Sequence, residues 1–370
     1  MLEVQKYLQT HSLTDLTNEY GIDVVEYDDC VLLSYSQIES PKTHPIVIEC
    51  RGLILSKDYS EIYCKSFDRF FNYGEVIDLQ RDFDFNTSVV CEKVDGSIIR
   101  VYYHPNRGWS VATRKNAFAD NLTAMALDTF ESAFYKAVGS KEEFIKVIDE
   151  HRDKVFVFEF VSPQNRVVKN YGNGYYAYLL SVFEQKSGNE LTTPCQLLDW
   201  KTTFQSFDGI KFPKIYDLKS YEDICREFTQ MEVTDEGFVV FDTVSKIRVK
   251  IKNPSYLNIF SHRINGVLTE RNIVKLVTEN ETDEYLTYFE QDKALIQPYI
   301  DAYEHLCEDI EYVYKRYGGI EDGKTFAQIA NQYPFNMILF KMRKGIGFKE
   351  SINDLSIDNR CRLIGKYVGL

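Results

Sequence analysis

Glu92-Lys93-Val94-Asp95-Gly96-Ser97 is the stretch on which the reading of this chain turns. It stands between two runs of strand-forming residues, 89–93 and 98–103. A Lys-x-Asp-Gly string alone is weak, since chance supplies one in roughly every ten chains of this length. Asp-Gly also serves a plain hairpin turn by supplying positive φ. Its weight comes from the company it keeps. Downstream, Phe156-Val157-Phe158-Glu159-Phe160-Val161 sets one carboxylate inside an apolar strand, which is costly unless the charge meets a partner or a polar ligand. Further on, Asp235-Glu236-Gly237-Phe238 opens a strand and Lys250-Ile251-Lys252 closes its neighbour, with Lys250 and Lys252 on one face and Ile251 on the other. Upstream, Glu49-Cys50-Arg51-Gly52 falls within 46–55, which reads as a strand. Taken singly, each of these charges is an ordinary solvated residue about four times in five.

Outward from the motif, short strand-like runs at 24–27, 31–35, 61–65, 109–113, 155–161, 176–183, 238–241 and 247–251 meet through turns, with helical spacing at 121–138 and 141–151. That pattern predicts an α+β domain on antiparallel sheets. After Pro254 the texture changes. Leu286, Phe289, Ile296, Tyr299, Tyr303, Leu306, Ile310 and Val313 recur every three or four residues, as amphipathic helices require. Pro298 reads as a break or a helix start, and Gly318-Gly319 as a stop. The expected division is 1–254, followed by a smaller all-helical domain, 255–370.

The chain has 370 residues, 44% of them hydrophobic and 27% charged, which excludes a disordered or fibrous protein. Lys and Arg number 43 against 56 Asp and Glu, a net charge of −13 that argues against a nonspecific nucleic-acid coat but leaves room for a local basic groove. No apolar run approaches the ~18 residues of a membrane span. Residues 1–20 mix Glu3, Lys6, His11 and Asp15 among apolar residues, unlike a signal peptide, so the expected compartment is the cytoplasm. The 8 cysteines form no Cys-x-x-Cys pair and read as free, mostly buried thiols, and the 6 histidines show no metal-ligand spacing.

In this order the motifs resemble those of the covalent nucleotidyltransferases, the superfamily of polynucleotide ligases and capping enzymes. Lys93-Val94-Asp95-Gly96 matches motif I, Thr113-Arg114 motif III, Phe158-Glu159-Phe160 motif IIIa, Glu236-Gly237 motif IV and Lys250-Ile251-Lys252 motif V. Fuller strings, Glu49-Cys50-Arg51-Gly52, Phe70-Phe71-Asn72 and Phe158–Val161 followed by Pro163 and Asn165-Arg166, are similar to the phage RNA ligase 1 family, which repairs broken tRNA anticodon loops. The resemblance covers about residues 31–256. It implies an adenylyltransferase domain with ATP and Mg2+ as cofactors and a tail that recognises tRNA. Lys93 is the implied nucleophile toward the α-phosphorus of ATP. A lysine amine attacks only when unprotonated, which nearby cations and a metal favour. Arginine cannot replace it, because guanidinium stays protonated.

The same resemblance implies that Lys250 and Lys252 neutralise phosphate, Glu159 accepts the ribose hydroxyl and Glu236 supports a magnesium ion. Tyr35 and Arg51 match positions that hold the nucleotide. Arg69 stands where the family can have lysine, and Gly96 would let backbone approach the nucleotide. Arg114 falls at the motif III cation, with Lys115 next to it where the family often has glycine. Asp283-Glu284 stands where family members can bind a metal; an N-terminal turn enriched in acids, capped by Thr282, is the plainer explanation. The expected partner is RNA with 5′-phosphate and 3′-hydroxyl ends, handled by a monomer.

Gly318-Gly319-Ile320-Glu321-Asp322-Gly323-Lys324-Thr325 fits the P-loop pattern formally, but it follows a charged helical stretch and carries two acids where phosphates would sit. The stretch 341–366 holds seven cations against three acids, a plausible phosphate contact or a solvated face. A DNA ligase or capping enzyme would follow motif V with a β-barrel, which the helical tail disfavours. An inactive RNA-binding module would not need an intact Lys93 with both glutamates and both motif V lysines.

Overall fold

The computed structural model describes residues 1–36, 39–121, 128–165, 167–260, 268–288 and 292–369. The chain divides into two units, Met1–Tyr256 and Leu257–Leu370. In the first, helices Glu3–Tyr7 and Leu13–Tyr20 precede β1 (Ile22–Glu26), β2 (Cys30–Tyr35), β3 (Arg51–Ser56) and β4 (Ile62–Cys64), an antiparallel sheet in sequence order. Ten more strands follow: β5 (Phe71–Asn72), β6 (Ser88–Glu92), β7 (Ser97–His104), β8 (Gly108–Thr113), β9 (Lys154–Val161), β10 (Tyr176–Glu184), β11 (Ile210–Lys211), β12 (Ile215–Tyr216), β13 (Gly237–Asp242) and β14 (Arg248–Lys252). They form two five-stranded sheets, β11-β10-β9-β7-β8 and β12-β6-β13-β14-β5. The pairings are antiparallel apart from the short β10·β11 and β5·β14 pairs.

Alternation in β9 explains the core. Phe156, Phe158 and Phe160 pack with Phe134, Phe144 and Phe204 on one face, where helices Phe130–Ala137 and Lys141–Ile148 cover the sheet. Val155 and Val157 point to the other face, and Glu159 shares that face. In the other sheet Val90, Phe238, Val240, Val249 and Ile251 bury one side, which leaves Lys250 and Lys252 on the opposite side.

The second unit is helical among the described residues. Its longest helix, Lys293–Tyr317, buries Ile296, Ala302, Tyr303, Leu306, Ile310 and Val313. The architecture is thus α+β, with sheets first and helices after. No helix among the described residues is long and apolar enough to cross a membrane.

Some local expectations fail for identifiable reasons. Residues 92–97 do not make a hairpin: β6 belongs to one five-stranded sheet and β7 to the other, so Lys93–Gly96 crosses between them. The run 46–55 is not one strand. Pro45–Glu49 is helical, started by proline in its first turn, and β3 begins only at Arg51. Pro298 neither breaks nor starts a helix; it sits inside Lys293–Tyr317, which continues past the one backbone bond that the missing N–H forgoes. Thr282 is the first helical residue of Thr282–Tyr288. Four of the cysteines, at 30, 50, 64 and 91, are buried, while Cys195 and Cys225 are exposed. Arg166, Phe289, His262 and residues 122–127 lie outside the described residues.

Candidate active site

The crossing between the sheets places Lys93 at a cleft open to solvent, with about 1000 Å³ of empty space counted out to its mouth. One wall comes from Cys91, Val239, Arg248, Lys250 and Lys252, the other from Ile98, Glu159 and Leu180, with Arg51 and Phe70 closing an end. Cys91, Val239 and Lys250 lie side by side because Val239 pairs with both neighbours in register. The Lys93 N–H donates to the Gly237 carbonyl at 2.9 Å, so the nucleophile motif is tied to the start of β13. Its amine, with a fifth of the side chain exposed, lies 2.6 Å from Glu236 Oε1, and Lys252 Nζ lies 3.1 Å from that same oxygen. One buried carboxylate therefore serves two cations, a geometry that brings motifs I, IV and V together.

Glu159 opens partly to the cleft yet sits among enough protein that desolvation pushes its carboxyl up to about 8. Lys93 opposes that rise, Glu236 adds to it and Arg51 opposes it. The two glutamates thus feel each other, and a cation or a proton relieves their repulsion. Asp95 has its affinity for a proton raised by burial and by Glu236, while three hydrogen bonds counteract this. It accepts from the backbone N–H groups of Val168 and Lys169, both at 2.8 Å, and from the Tyr256 hydroxyl at 2.9 Å. Its own N–H donates to the Tyr171 hydroxyl at 2.9 Å. Asp95 is a positioning residue that fastens segment 168–171 to the crossing two residues after Lys93, a role the motif string does not reveal.

Gly96 meets a packing need as well. A Cβ there would lie 2.4 Å from the Phe160 carbonyl oxygen and 2.8 Å from Val161 Cγ1. The missing side chain therefore lets the crossing pass close over β9. Gly52, with φ of +75°, turns the chain so that Arg51 enters the cleft; a Cβ there would meet the Arg114 carbonyl at 2.7 Å.

Tyr35, Arg69 and Arg114 form a stack beside the cleft and do not line it. The guanidinium carbons of Arg69 and Arg114 lie 4.3 Å and 4.1 Å from the Tyr35 ring centre. Arg114 also donates to the Tyr35 carbonyl at 2.9 Å. Burial alone would raise the Tyr35 phenol, but Arg114, Arg51, Arg69 and Lys250 together hold it below the ordinary tyrosine range. Those four cations therefore share one positive field. Arg51 Nη1, Arg69 Nη1 and Arg114 Nε are buried without a hydrogen-bond partner, which is the state of donors that an anion would satisfy. Lys115, three quarters exposed, faces Asp23 instead, so the motif III cation directed inward is Arg114.

Sequence reasoning missed Arg248, which lies between the Phe67 and Phe241 rings at 4.4 Å each and pairs with Glu190 at 2.8 Å. The alternation that singled out Lys250 and Lys252 extends to it. Asp283 is exposed on helix Thr282–Tyr288, which belongs to the second unit. The P-loop look-alike is a helix end followed by a helix start, with Asp322 capping Gly323–Ala330 by accepting from Thr325 N at 2.8 Å.

Of the basic stretch, Lys341 pairs with Asp354, Arg343 donates to the Glu321 carbonyl, and Arg360 binds Thr278, Asn353 and Leu355. Lys344, Arg362 and Lys366 stand exposed.

A curated relative, the bifunctional polynucleotide kinase/RNA ligase proposed for Autographa californica nuclear polyhedrosis virus, is 27% identical over 359 residues. The match takes in 93% of this chain, which spans about half the length of that relative. Among solved structures, an archaeal ATP-dependent RNA ligase superposes with a TM-score of 0.48 at 13% identity, over 90% of this chain and 77% of that one. A Naegleria gruberi RNA ligase mutant with ATP and Mn gives 0.41 at 16% identity, over 54% and 58%. The family model for RNA ligases of the T4 type 1 matches residues 49–256, more than half of the chain and every motif of the cleft, so this protein belongs to that RNA ligase family.

Proposed function

We propose that the chain is an ATP-dependent RNA ligase that works through an AMP-charged Lys93. The carrying observation is the Lys93–Glu236–Lys252 cluster, an amine held in a cleft by a carboxylate that a second cation shares. In the first step the Lys93 nitrogen forms a bond to the α-phosphorus of ATP, the bond to pyrophosphate breaks, and the amine proton passes toward Glu236. Lys250, Lys252 and Arg51 line the path of the phosphates and offset the charge that builds there. Glu159, protonated below about pH 8, can both donate to and accept from a ribose hydroxyl. AMP then passes to an RNA 5′-phosphate, and a 3′-hydroxyl displaces it to seal the strand.

The donor set fits magnesium at Glu236, whose hard carboxylate oxygens lie in the cleft beside Lys93 and Lys252. When bound, that ion supplies charge neutralisation at the phosphates. Asp283 is a second candidate ligand, for a metal held by the helical unit. The preferred RNA is a broken tRNA anticodon loop, with the helical unit 257–370 recognising the rest of the tRNA. Side-by-side joining of 5′-phosphorylated RNA and DNA strands, with ATP and magnesium, tests the reading. RNA sealing with little DNA sealing is expected; equal or preferential DNA sealing contradicts it, and label retained from GTP in place of ATP indicates a capping enzyme.

A further inference from the structure

At the end of β7 remote from the cleft, the fold gathers three side chains that spacing along the chain could not reveal: Asp29, Cys30 and His104. Their ligand atoms all lie within 4.8 Å of one another. Cys30 and His104 are fully buried. His104 Nε2 and Asp29 Oδ1 are buried without a hydrogen-bond partner and face each other at 3.5 Å. Zinc bonds of about 2.0–2.3 Å imply tetrahedral edges of about 3.3–3.8 Å, so this separation is already that of two ligands on one ion. Asp29 Oδ2 is occupied by the Asn106 side-chain amide at 3.1 Å, which leaves Oδ1 as the ligand oxygen. The Tyr63 and Phe118 rings pack edge-on against the imidazole and limit its rotation.

We propose that Asp29, Cys30 and His104 supply three ligands to a zinc-class divalent metal whose fourth position a water fills, clamping the β1–β2 turn of one sheet to the end of β7 in another. A thiolate, an imidazole and a carboxylate select a borderline ion over magnesium. The charges suit it. Burial would raise Asp29, but Asn106, His104 and Arg107 hold it below the usual carboxylate range, while desolvation lowers His104 below the usual imidazole range against the opposing pull of Asp29. Burial and Asp29 push the Cys30 thiol up to about 11, so the metal must displace its proton. The Asn106 N–H donates to His104 Nδ1 at 3.2 Å and so places the ring proton on Nε2. Loading moves that proton to Nδ1 and releases the exposed Asn106 amide to water. The thiol proton leaves to solvent, and two anionic ligands balance the ion. Seven residues of β7 at about 3.3 Å each put the site roughly 23 Å from the nucleophile motif.

The test is Co2+ titration of the full-length, chelator-stripped protein with excess Mg2+ present, followed by Zn2+ displacement. Expected are one tightly held Co2+ with thiolate-to-cobalt charge-transfer absorption, release of one proton, and a rise in Tm. Cys30→Ser should abolish that absorption, and Asp29→Asn, partly exposed and nearly isosteric, should weaken affinity at least tenfold with circular dichroism and Lys93 adenylylation preserved. No charge-transfer band in the folded wild type, or a band that persists in Cys30→Ser, overturns the site. If Cys30→Ser does not fold, an unchanged Co2+ affinity in Asp29→Asn overturns it equally.

Discussion

Replacing Glu159 by glutamine probes the cleft's electrostatics through stability alone. In the folded protein desolvation pushes this carboxyl to about 8 from the ordinary 4.5. The folded state therefore keeps a proton that the unfolded chain gives up, and stability falls as pH rises from about 4.5 through 8. A difference of about 3.5 units at 1.36 kcal/mol each sets a ceiling of about 5 kcal/mol. Opening to the cleft and coupling to Lys93 and Glu236 reduce this to about 2–3 kcal/mol. For a unit of this size 1 kcal/mol moves Tm by about 2–4 °C. The assay is calorimetric Tm from pH 5 to pH 9 for both proteins. Glutamine cannot ionise, so the Glu159→Gln curve should fall less steeply, and the variant should gain about 4–12 °C relative to wild type between those limits. Parallel curves would refute the argument that Glu159 is desolvated and crowded by Glu236.

Gly96→Ala should cost about 1–3 kcal/mol and depress adenylylation, because its Cβ runs into the Phe160 carbonyl; denaturant melts and adduct yield check both. Arg114→Ala should raise the Tyr35 phenol pKa in ultraviolet titration and reduce adduct formation, whereas Lys115→Ala should change stability by less than about 0.5 kcal/mol. If Lys344, Arg362 and Lys366 touch phosphates, replacing all three by alanine should lower the log–log salt slope of RNA binding by about 2. An unchanged slope makes them a solvated face.

The motifs were legible because phosphate chemistry restricts residue types: a lysine nucleophile, paired cations and a carboxylate inside an apolar strand have few other uses together. Strand alternation then placed Lys250 and Lys252 on one face, as found in β14. What stayed hidden depends on packing between distant segments. The Lys93 crossing resembles a hairpin locally, since an Asp-Gly pair suits both, and only the partners of β6 and β7 separate the two. Helix Pro45–Glu49 reads as strand because its Ile and Val favour strands, yet Pro45 at the first turn decides otherwise. Glu236 bridging two lysines, Asp95 fastening segment 168–171, and the meeting of Asp29 with His104 leave no periodic trace.

The account rests on one amine. Incubating the protein with ATP labelled at the α-phosphate, then mapping the adduct by peptide mass, tests it most directly. One adenylyl group on Lys93, absent from both Lys93→Ala and Lys93→Arg proteins of unchanged circular dichroism, is the expected result. Label on a different residue, or label that survives in Lys93→Ala, contradicts it.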